Sequence, residues 1–283
     1  MLFRPVALAL LLATLCSAEN KNADKKDWLQ LFNGKNLKGW SPKITGYPYN
    51  ENFANTFRVR DGLLQVRYDG YDEFKERFGH LFYKNPYSYY IIAVEYRFTA
   101  EQANKGPAWA TRNSGIMIHG QDPATMGKDQ NFPISIEVQL LGGLGKGPRT
   151  TANLCTPGTN VERDGKVFTP HCLNSKSKTY DGDQWVRVEV KVLGSEKVEH
   201  IIDGEVVLSY EKPQMGGGAV NNLTPGVFQE GKILTGGSIS LQSESHPVDF
   251  RKVELLDLEG CMDTKAKNFK SYFVKAANDR CKY

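Results

Sequence analysis

Short runs rich in Val, Ile, Tyr and Phe recur along this chain, and turns rich in Gly, Asn, Asp and Pro separate them. Apolar and polar residues alternate within the runs, which predicts β-strands because successive side chains of a strand point to opposite faces. Asp203-Gly204 lies between two runs and predicts a tight hairpin. Helical periodicity is weak, and the one helical turn it predicts covers residues 72–78. The predicted strands are Thr56–Val66, Ser88–Phe98, Gly115–His119, Ile134–Leu141, Trp185–Leu193, Lys197–Ile202, Val206–Tyr210, Ile239–Gln242 and Val248–Leu258.

The number and spacing of these runs predict one all-β domain over residues 27–258. Two antiparallel sheets packed face to face accommodate a β domain of roughly 230 residues. The C-terminal residues 259–283 are too few to fold alone without a covalent cross-link.

The start of the chain predicts a secretory signal peptide. Arg4 precedes an apolar run over residues 6–15, and small residues follow at the end of the segment. The run is too short to span a membrane as a helix. We therefore expect cleavage after residues 1–18, a linker over residues 19–26, and a secreted or periplasmic protein.

A lipid anchor and a further membrane-spanning segment are both disfavoured. A lipoprotein signal with Cys16 as the acylated residue is the alternative to a secretory signal, but the bulky Leu15 precedes Cys16 where a small residue is expected. No other apolar run approaches the ~20 residues of a transmembrane helix.

Arg4 is the one charged residue of the signal peptide, so its removal leaves 35 basic against 32 acidic residues. This small excess argues against a nucleic-acid partner.

Four cysteines follow the signal peptide, an even number in an oxidising compartment, and two disulfides are expected. They are Cys155, Cys172, Cys261 and Cys281. Cys155 and Cys172 bracket a segment rich in Gly, Pro and Asn that a local disulfide would restrain. A zinc site formed by Cys155, His171 and Cys172 is the alternative, although its spacing is unusual for zinc.

Four segments, in order along the chain, carry a specific set of motifs. They are Trp28–Trp40, Asn113–Gly120, Ile136–Leu141 and the closing Gly236–Leu255. The last joins a Gly-rich entry, a Leu-Gln strand, a polar turn with Pro and a Phe-Arg strand. Together they resemble the 3-keto-disaccharide hydrolase domain family, formerly DUF1080. The resemblance implies a concanavalin A-like jelly roll in which one curved sheet offers a concave face to sugars.

The C-terminal segment has a resemblance of its own. Residues 261–281 are similar to short two-cysteine modules at the ends of secreted bacterial proteins. In those modules the first and last cysteines pair, which implies a Cys261–Cys281 disulfide here.

Alternation indicates which side chains face the groove. In residues 134–140 the aliphatic side chains share one face, which leaves Glu137 and Gln139 on the other. The same count places His119 opposite Ile116 and Ile118. It also places Gln242 and Glu244 on one face of the closing strand. Glu137 is the first candidate for a general base, with His119 as an alternative base or an enolate donor. Gln139, Gln242 and Glu244 are expected to orient the sugar. The alternative for all five is a structural or surface role.

The closing motif departs from the family at its turn. Many members carry Asp-His-Gly where this chain has Ser-Glu-Ser-His, so either Glu244 or His246 would take the place of the family's imidazole. Arg251 matches the family's Phe-Arg and is expected either to contact substrate or to form a structural ion pair.

The resemblance implies cleavage of 3-keto-glycosides. The ketone acidifies the C2 hydrogen and the glycosidic oxygen lies β to it, so one base can start an elimination that hydration completes. A separate oxidoreductase would supply the 3-keto sugar. No cofactor is established, and no ligand spacing identifies a metal, although a divalent metal suits enolate chemistry. A retaining glycosidase needs two carboxylates about 5 Å apart, and the strand-mate of Glu137 is Gln139. The alternatives are a non-catalytic carbohydrate-binding module and a structural role at the cell surface.

Overall fold

The computed structural model describes residues 23–283, and the predicted signal peptide lies outside them. Two large antiparallel sheets dominate the chain, and a two-stranded sheet lies near its C-terminus. The predicted all-β jelly-roll sandwich is confirmed. Among the helices of residues 23–283, none combines the length and the apolar character needed to cross a membrane.

Nineteen strands and five short 3-10 helices are present in the described residues. The strands are β1 (Leu29–Gln30), β2 (Trp40–Ile44), β3 (Phe57–Arg60), β4 (Leu63–Val66), β5 (Gly79–Tyr83), β6 (Tyr89–Phe98), β7 (Asn113–Gly120), β8 (Ile136–Leu141), β9 (Asn153–Cys155), β10 (Thr159–Arg163), β11 (Lys166–Phe168), β12 (Cys172–Leu173), β13 (Val186–Leu193), β14 (Lys197–Ile202), β15 (Glu205–Met215), β16 (Ser238–Ser243), β17 (Val248–Asp257), β18 (Glu259–Gly260) and β19 (Lys275–Ala276). The 3-10 helices are Lys25–Asp27, Phe53–Asn55, Ala108–Ala110, Pro123–Thr125 and Asn278–Arg280.

The seven-stranded sheet has the order β12-β9-β8-β7-β16-β5-β2. The ten-stranded sheet runs β11-β10-β15-β14-β13-β6-β17-β4-β3, and β1 also pairs with β17. Strands distant in sequence are therefore neighbours, as β16 is between β5 and β7. This arrangement brings the family's second, third and fourth motifs side by side in the seven-stranded sheet.

One row of aliphatic residues crosses the inner face of the seven-stranded sheet. Leu81, Leu241, Ile116, Val138 and Leu154 pair in succession across β5, β16, β7, β8 and β9. All five side chains are fully buried against the ten-stranded sheet. Full burial of such a side chain stabilises the fold by about 1.5–3 kcal/mol. The residues that flank each of them along its strand therefore face outward.

The predicted strands are largely confirmed, with two corrections. Residues 56–66 form a hairpin rather than one strand, since Asp61 and Gly62 both have positive φ and turn the chain. The helical turn predicted at 72–78 is absent, because Lys75 and Glu76 adopt left-handed backbone angles that end a right-handed turn. The hairpin at Asp203-Gly204 is confirmed.

Both expected disulfides are present. Cys155 and Cys172 lie opposite each other on β9 and β12 and are bonded, and Cys261 is bonded to Cys281. Ligand atoms of Cys155, His171 and Cys172 lie within 4.8 Å of one another. The two sulfurs are joined to each other, and a disulfide sulfur is not the thiolate that binds zinc. The zinc alternative is therefore wrong for this form of the protein.

Candidate functional site

A cavity of about 410 Å³ lies on the outer face of the seven-stranded sheet. Strand residues form its floor and loops form its walls. The lining residues are Trp109, Asn113, Phe132, Glu137, Gln139, Cys155, Pro157, His171, Cys172, Ala219 and Glu244. Asn113, Glu137 and Glu244 are buried, whereas Trp109 and His171 are exposed. The cavity is thus closed at a polar floor and open at its rim.

Strand β8 supplies Glu137 and Gln139, both facing the cavity as alternation predicts. Gly115 on β7 makes room for the carboxyl group. A Cβ at this glycine would lie 2.8 Å from Glu137 Cγ, 2.9 Å from Glu137 Oε1 and 3.1 Å from Gln242 Oε1. The absence of a side chain therefore lets Glu137 lie across β7 towards Gln242.

Gln139 is oriented by its neighbour on β9. Asn153 Nδ2 donates a hydrogen bond to Gln139 Oε1 at 3.1 Å. The oxygen of the Gln139 amide is thereby engaged, and its NH₂ group is the part available to a ligand in the cavity.

Glu137 and Glu244 form an electrostatically coupled pair at the floor. Burial raises the pKa of Glu137 above its ordinary value, and the neighbouring Gln242 side chain opposes part of that rise. Burial also raises the pKa of Glu244, and the charge of Glu137 raises it further. Glu137 Oε1 and Glu244 Oε2 are buried without a hydrogen-bond partner. The pair therefore retains at least one proton at neutral pH.

A buried polar row continues the floor towards the sheet edge. Gln242, His80 and Lys43 pair in succession across β16, β5 and β2. Burial lowers the pKa of His80 to about 3, and Lys43 contributes to that shift. Both ring nitrogens of His80 and both amide atoms of Gln242 lack hydrogen-bond partners. His80 is thus a neutral imidazole that pairs with Gln242 across the sheet.

His119 lies outside the cavity, contrary to the expectation from alternation. Ser240 pairs with Met117 but Ser238 pairs with Gly120, so β7 has one extra residue here. His119 takes a φ of 50° at this bulge. Its Nε2 lies 2.9 Å from the carbonyl oxygen of Gly194, in the ten-stranded sheet's β13–β14 turn. A bulge reverses the facing of the residues that follow it, so His119 is an interior residue.

His246 is also outside the cavity. Ser245 has a φ of 88°, so His246 does not keep the facing of Glu244. The imidazole packs edge-on against Phe98, with ring centroids 5.6 Å apart. Burial lowers its pKa to about 4. Of the two residues offered by the unusual turn, Glu244 is the one that faces the cavity.

Arg251 belongs to the other sheet. It lies on β17, where its guanidinium pairs with Glu95 and covers the ring of Trp185 at 4.6 Å. The expected substrate contact is therefore wrong, and the structural ion pair is what forms. The resemblance named the Phe-Arg motif but could not say which sheet face it occupies.

A family comparison agrees with this arrangement of motifs. The model of the 3-keto-alpha-glucoside-1,2-lyase-like domain matches residues 27–256. The chain belongs to this family. The match contains all four motif segments and every residue that lines the cavity.

Solved structures are similar to this lyase-like domain at low sequence identity. Two proteins from Parabacteroides distasonis ATCC 8503, both provisionally named glycosyl hydrolases, are 19% and 18% identical to it, with TM-scores of 0.48 and 0.49. The alignments cover 81% and 84% of this chain and 98% of each of theirs. A Bacillus licheniformis beta-glucanase is 13% identical, with a TM-score of 0.44 and coverage of 81% and 97%. No curated protein matches this chain.

Three residues in or beside the cavity were not predicted from the sequence: Asn113, Trp109 and His80. Asn113 shares the facing of Gly115 by simple alternation, so counting back two residues identifies it. His80 lies in a buried strand with no alternating pattern. Trp109 lies in a short 3-10 helix between strands, where no periodicity reveals the direction of a side chain.

Buried ionisable groups predict a stability maximum near pH 6.5. Burial lowers the pKa of all five histidines below 6.5, so the unfolded chain binds more protons below that pH and stability falls on acidification. The pKa falls to about 3 for His80 and to about 4 for His119, His200 and His246, and that of His171 is also lowered. Glu137 and Glu244 have raised values, so the folded chain binds more protons above pH 4.5 and stability falls as pH rises. Each proton difference changes stability by roughly 1.4 kcal/mol per pH unit.

Between pH 4.5 and 6.5 the five histidines outnumber the two carboxyl groups. Above 6.5 the carboxyl groups dominate, until Lys43, whose pKa burial lowers to about 8, begins to oppose them. Urea denaturation midpoints measured from pH 4.5 to 8.5 should therefore rise and then fall. Glu137→Gln should flatten the alkaline side. A midpoint that rises steadily to pH 8.5 would contradict the raised carboxyl pKa values.

Proposed function

We propose that this protein cleaves 3-keto-glycosides by elimination between C2 and C1, followed by addition of water. The carboxyl pair of Glu137 and Glu244 at the floor of the cavity carries this proposal. Elimination needs a base for the C2 hydrogen and an acid for the departing oxygen. Two carboxyl groups that share protons in a buried site can hold both states at once.

The environments of the two carboxyl groups favour one assignment. The neighbouring Gln242 side chain favours ionised Glu137, whereas the charge of Glu137 disfavours ionisation of Glu244. Glu137 therefore ionises first and is the proposed base, and Glu244 stays neutral as the proposed acid. The amides of Asn113 and Gln139 complete the floor, and they neither gain nor lose a proton at these pH values.

In the proposed first step, the Glu137 carboxylate removes the proton from C2. The electron pair of that bond forms the enolate of the C3 ketone, and its collapse makes the C1–C2 double bond while the C1–O bond to the aglycone breaks. Glu244 gives its proton to the departing oxygen. At the end Glu137 is protonated, Glu244 is ionised, and the sugar is an unsaturated ketone.

Hydration returns both groups to their starting states. Glu244, now a carboxylate, takes a proton from the water that adds to C1. Glu137 returns its proton to C2, and the product is the free 3-keto sugar. The amides of Asn113 and Gln139 at the floor are the proposed donors to the enolate oxygen and the sugar hydroxyl groups.

The substrate must be made elsewhere, because a glycoside acquires a C3 ketone only by oxidation. A separate oxidoreductase is the proposed source. The two disulfides suit an oxidising compartment, which supports the proposed secreted or periplasmic location. Carboxyl and amide oxygens at the floor are hard ligands of the kind that a divalent cation prefers, and such a cation would polarise the ketone.

The ketone should be essential for cleavage. Purified protein incubated with a 3-keto-glucoside should release the aglycone at least about a hundredfold faster than from the parent glucoside, whose C2 hydrogen is not acidic. Release is measured chromatographically, with and without added chelator. Comparable rates on both substrates would identify an ordinary glycosidase. Binding without turnover would favour the carbohydrate-binding alternative.

Removing the basic carboxylate should abolish most activity. Glu137→Gln keeps the shape and should lower kcat on the 3-keto-glucoside by about 10²–10⁴-fold with KM little changed. Glu205→Gln, exposed on the far hairpin, is the matched control and should match wild type. In the wild type, kcat/KM should rise with pH across the neutral range as Glu137 ionises. Activity of Glu137→Gln within threefold of wild type would remove Glu137 from the mechanism.

Gly115→Ala should displace the base without unfolding the protein. The new methyl group would lie 2.8 Å from Glu137 Cγ and 2.9 Å from its Oε1, so the Glu137 side chain must shift, and the adjoining cavity gives it room. We expect kcat to fall by about tenfold, in line with loss of positioning, and the melting temperature to change little. Gly218→Ala is the control, because a Cβ there meets nothing within 4 Å. Equal kcat in the two variants would show that the position of Glu137 over β7 is unimportant.

A further inference from the structure

The cavity is polar and ionisable at its floor but uncharged and apolar at its rim. This difference bears on the aglycone, the part of the substrate that is released. Ionisable carboxyl groups occur only at the floor of the cavity. At the exposed rim lie the indole of Trp109, the methyl group of Ala219, and the disulfide sulfur of Cys172. His171 is also exposed there, and burial of part of its ring lowers its pKa, so it is neutral at pH 7. The rim is therefore uncharged and largely apolar.

Trp109 is a rigid platform at this rim. Its indole stacks on Phe78, with ring centroids 5.9 Å apart and planes 20° apart, and Phe78 in turn packs on Phe132 at 4.8 Å. Trp109 is nevertheless 56% exposed. Among the exposed large apolar side chains of residues 23–283, it alone lines the cavity. One face of the indole is held in place and the other is free to stack on a ligand.

The proposed chemistry fixes how a substrate enters. Glu137 must reach the C2 hydrogen, so the sugar ring lies at the floor, within hydrogen-bond reach of the carboxyl pair. The floor is closed, so the group attached to C1 extends towards the open rim. The aglycone therefore meets Trp109, while the sugar meets the amides and carboxyl groups.

We propose that the cavity selects 3-keto-glycosides with a planar aromatic aglycone, which stacks on Trp109. This inference rests on the proposed function and names its substrate class. An aromatic ring buries apolar surface at the rim and gains a stacking contact. A second sugar in the same place brings hydroxyl groups to a surface that offers them few hydrogen-bond partners, and it gains less.

The test uses three 3-keto-glucosides of one anomeric configuration, carrying benzyl, methyl and glucosyl aglycones. All three release an alcohol rather than a phenol, so differences among them report on binding more than on leaving-group acidity. In the wild type, kcat/KM should be about tenfold higher for the benzyl compound than for the disaccharide. Trp109→Ala should lower the benzyl-to-methyl ratio of kcat/KM by about tenfold, and Trp109→Phe should restore most of it.

Tyr49→Ala is the matched control, since Tyr49 is an exposed aromatic residue away from the cavity. It should leave the benzyl-to-methyl ratio unchanged. A ratio that Trp109→Ala also leaves unchanged, or equal kcat/KM for the benzyl compound and the disaccharide, would overturn the inference. If none of the three is cleaved, the proposed function fails. Calorimetry of unoxidised benzyl and methyl glucosides then tests Trp109 alone, and equal affinities would overturn the aglycone inference.

Discussion

The register of strand β8 is the constraint on which both the core and the cavity depend. Val138 pairs with Ile116 and Leu154 on the inner face, so Glu137 and Gln139 on either side of it must face outward. A shift of one residue would bury the carboxyl group among aliphatic side chains and expose Val138 to water. The hydrophobic contact between the two sheets therefore also fixes the place of the proposed base. Substitutions in the aliphatic row act on the site through this register, although none of its side chains lines the cavity.

The polar floor of the cavity lowers the stability of the folded state, and packing elsewhere in the fold offsets this loss. Oxygen atoms of Glu137 and Glu244 and both amide atoms of Gln242 are buried without hydrogen-bond partners. Each such group destabilises the folded state by about 1–3 kcal/mol, and buried groups of this kind are uncommon outside functional sites. A sugar that supplies hydroxyl groups would satisfy these atoms. Ligand binding and folding stability are therefore coupled at the floor, where a strand packed on its aliphatic side carries unsatisfied polar groups on the other.

Alternation predicted the part of the site that lies on regular strands and failed where the backbone departs from them. Glu137, Gln139 and Glu244 face the cavity as counted, because β8 and most of β16 keep a period of two. His119 and His246 do not, since a bulge and a residue with positive φ each reverse the count. Gly120 and Pro247 directly follow these two histidines, but neither residue type shows which way the preceding side chain points. The loop residues at the rim could not be predicted from the sequence, because their positions depend on tertiary contacts between segments distant in the chain.

The turn that departs from the family pattern contains two ionisable side chains, Glu244 and His246. Burial shifts their pKa values in opposite directions. It raises the pKa of a carboxyl group and lowers that of an imidazole, because in each case it disfavours the charged form. A buried Glu244 is thus a neutral acid that still has a proton to give. A buried imidazole such as that of His246 is neutral because its extra proton has already been lost. At a floor this well shielded from water, a proton donor to the departing oxygen is better provided by a carboxyl group. The structure places Glu244 there and directs His246 towards Phe98.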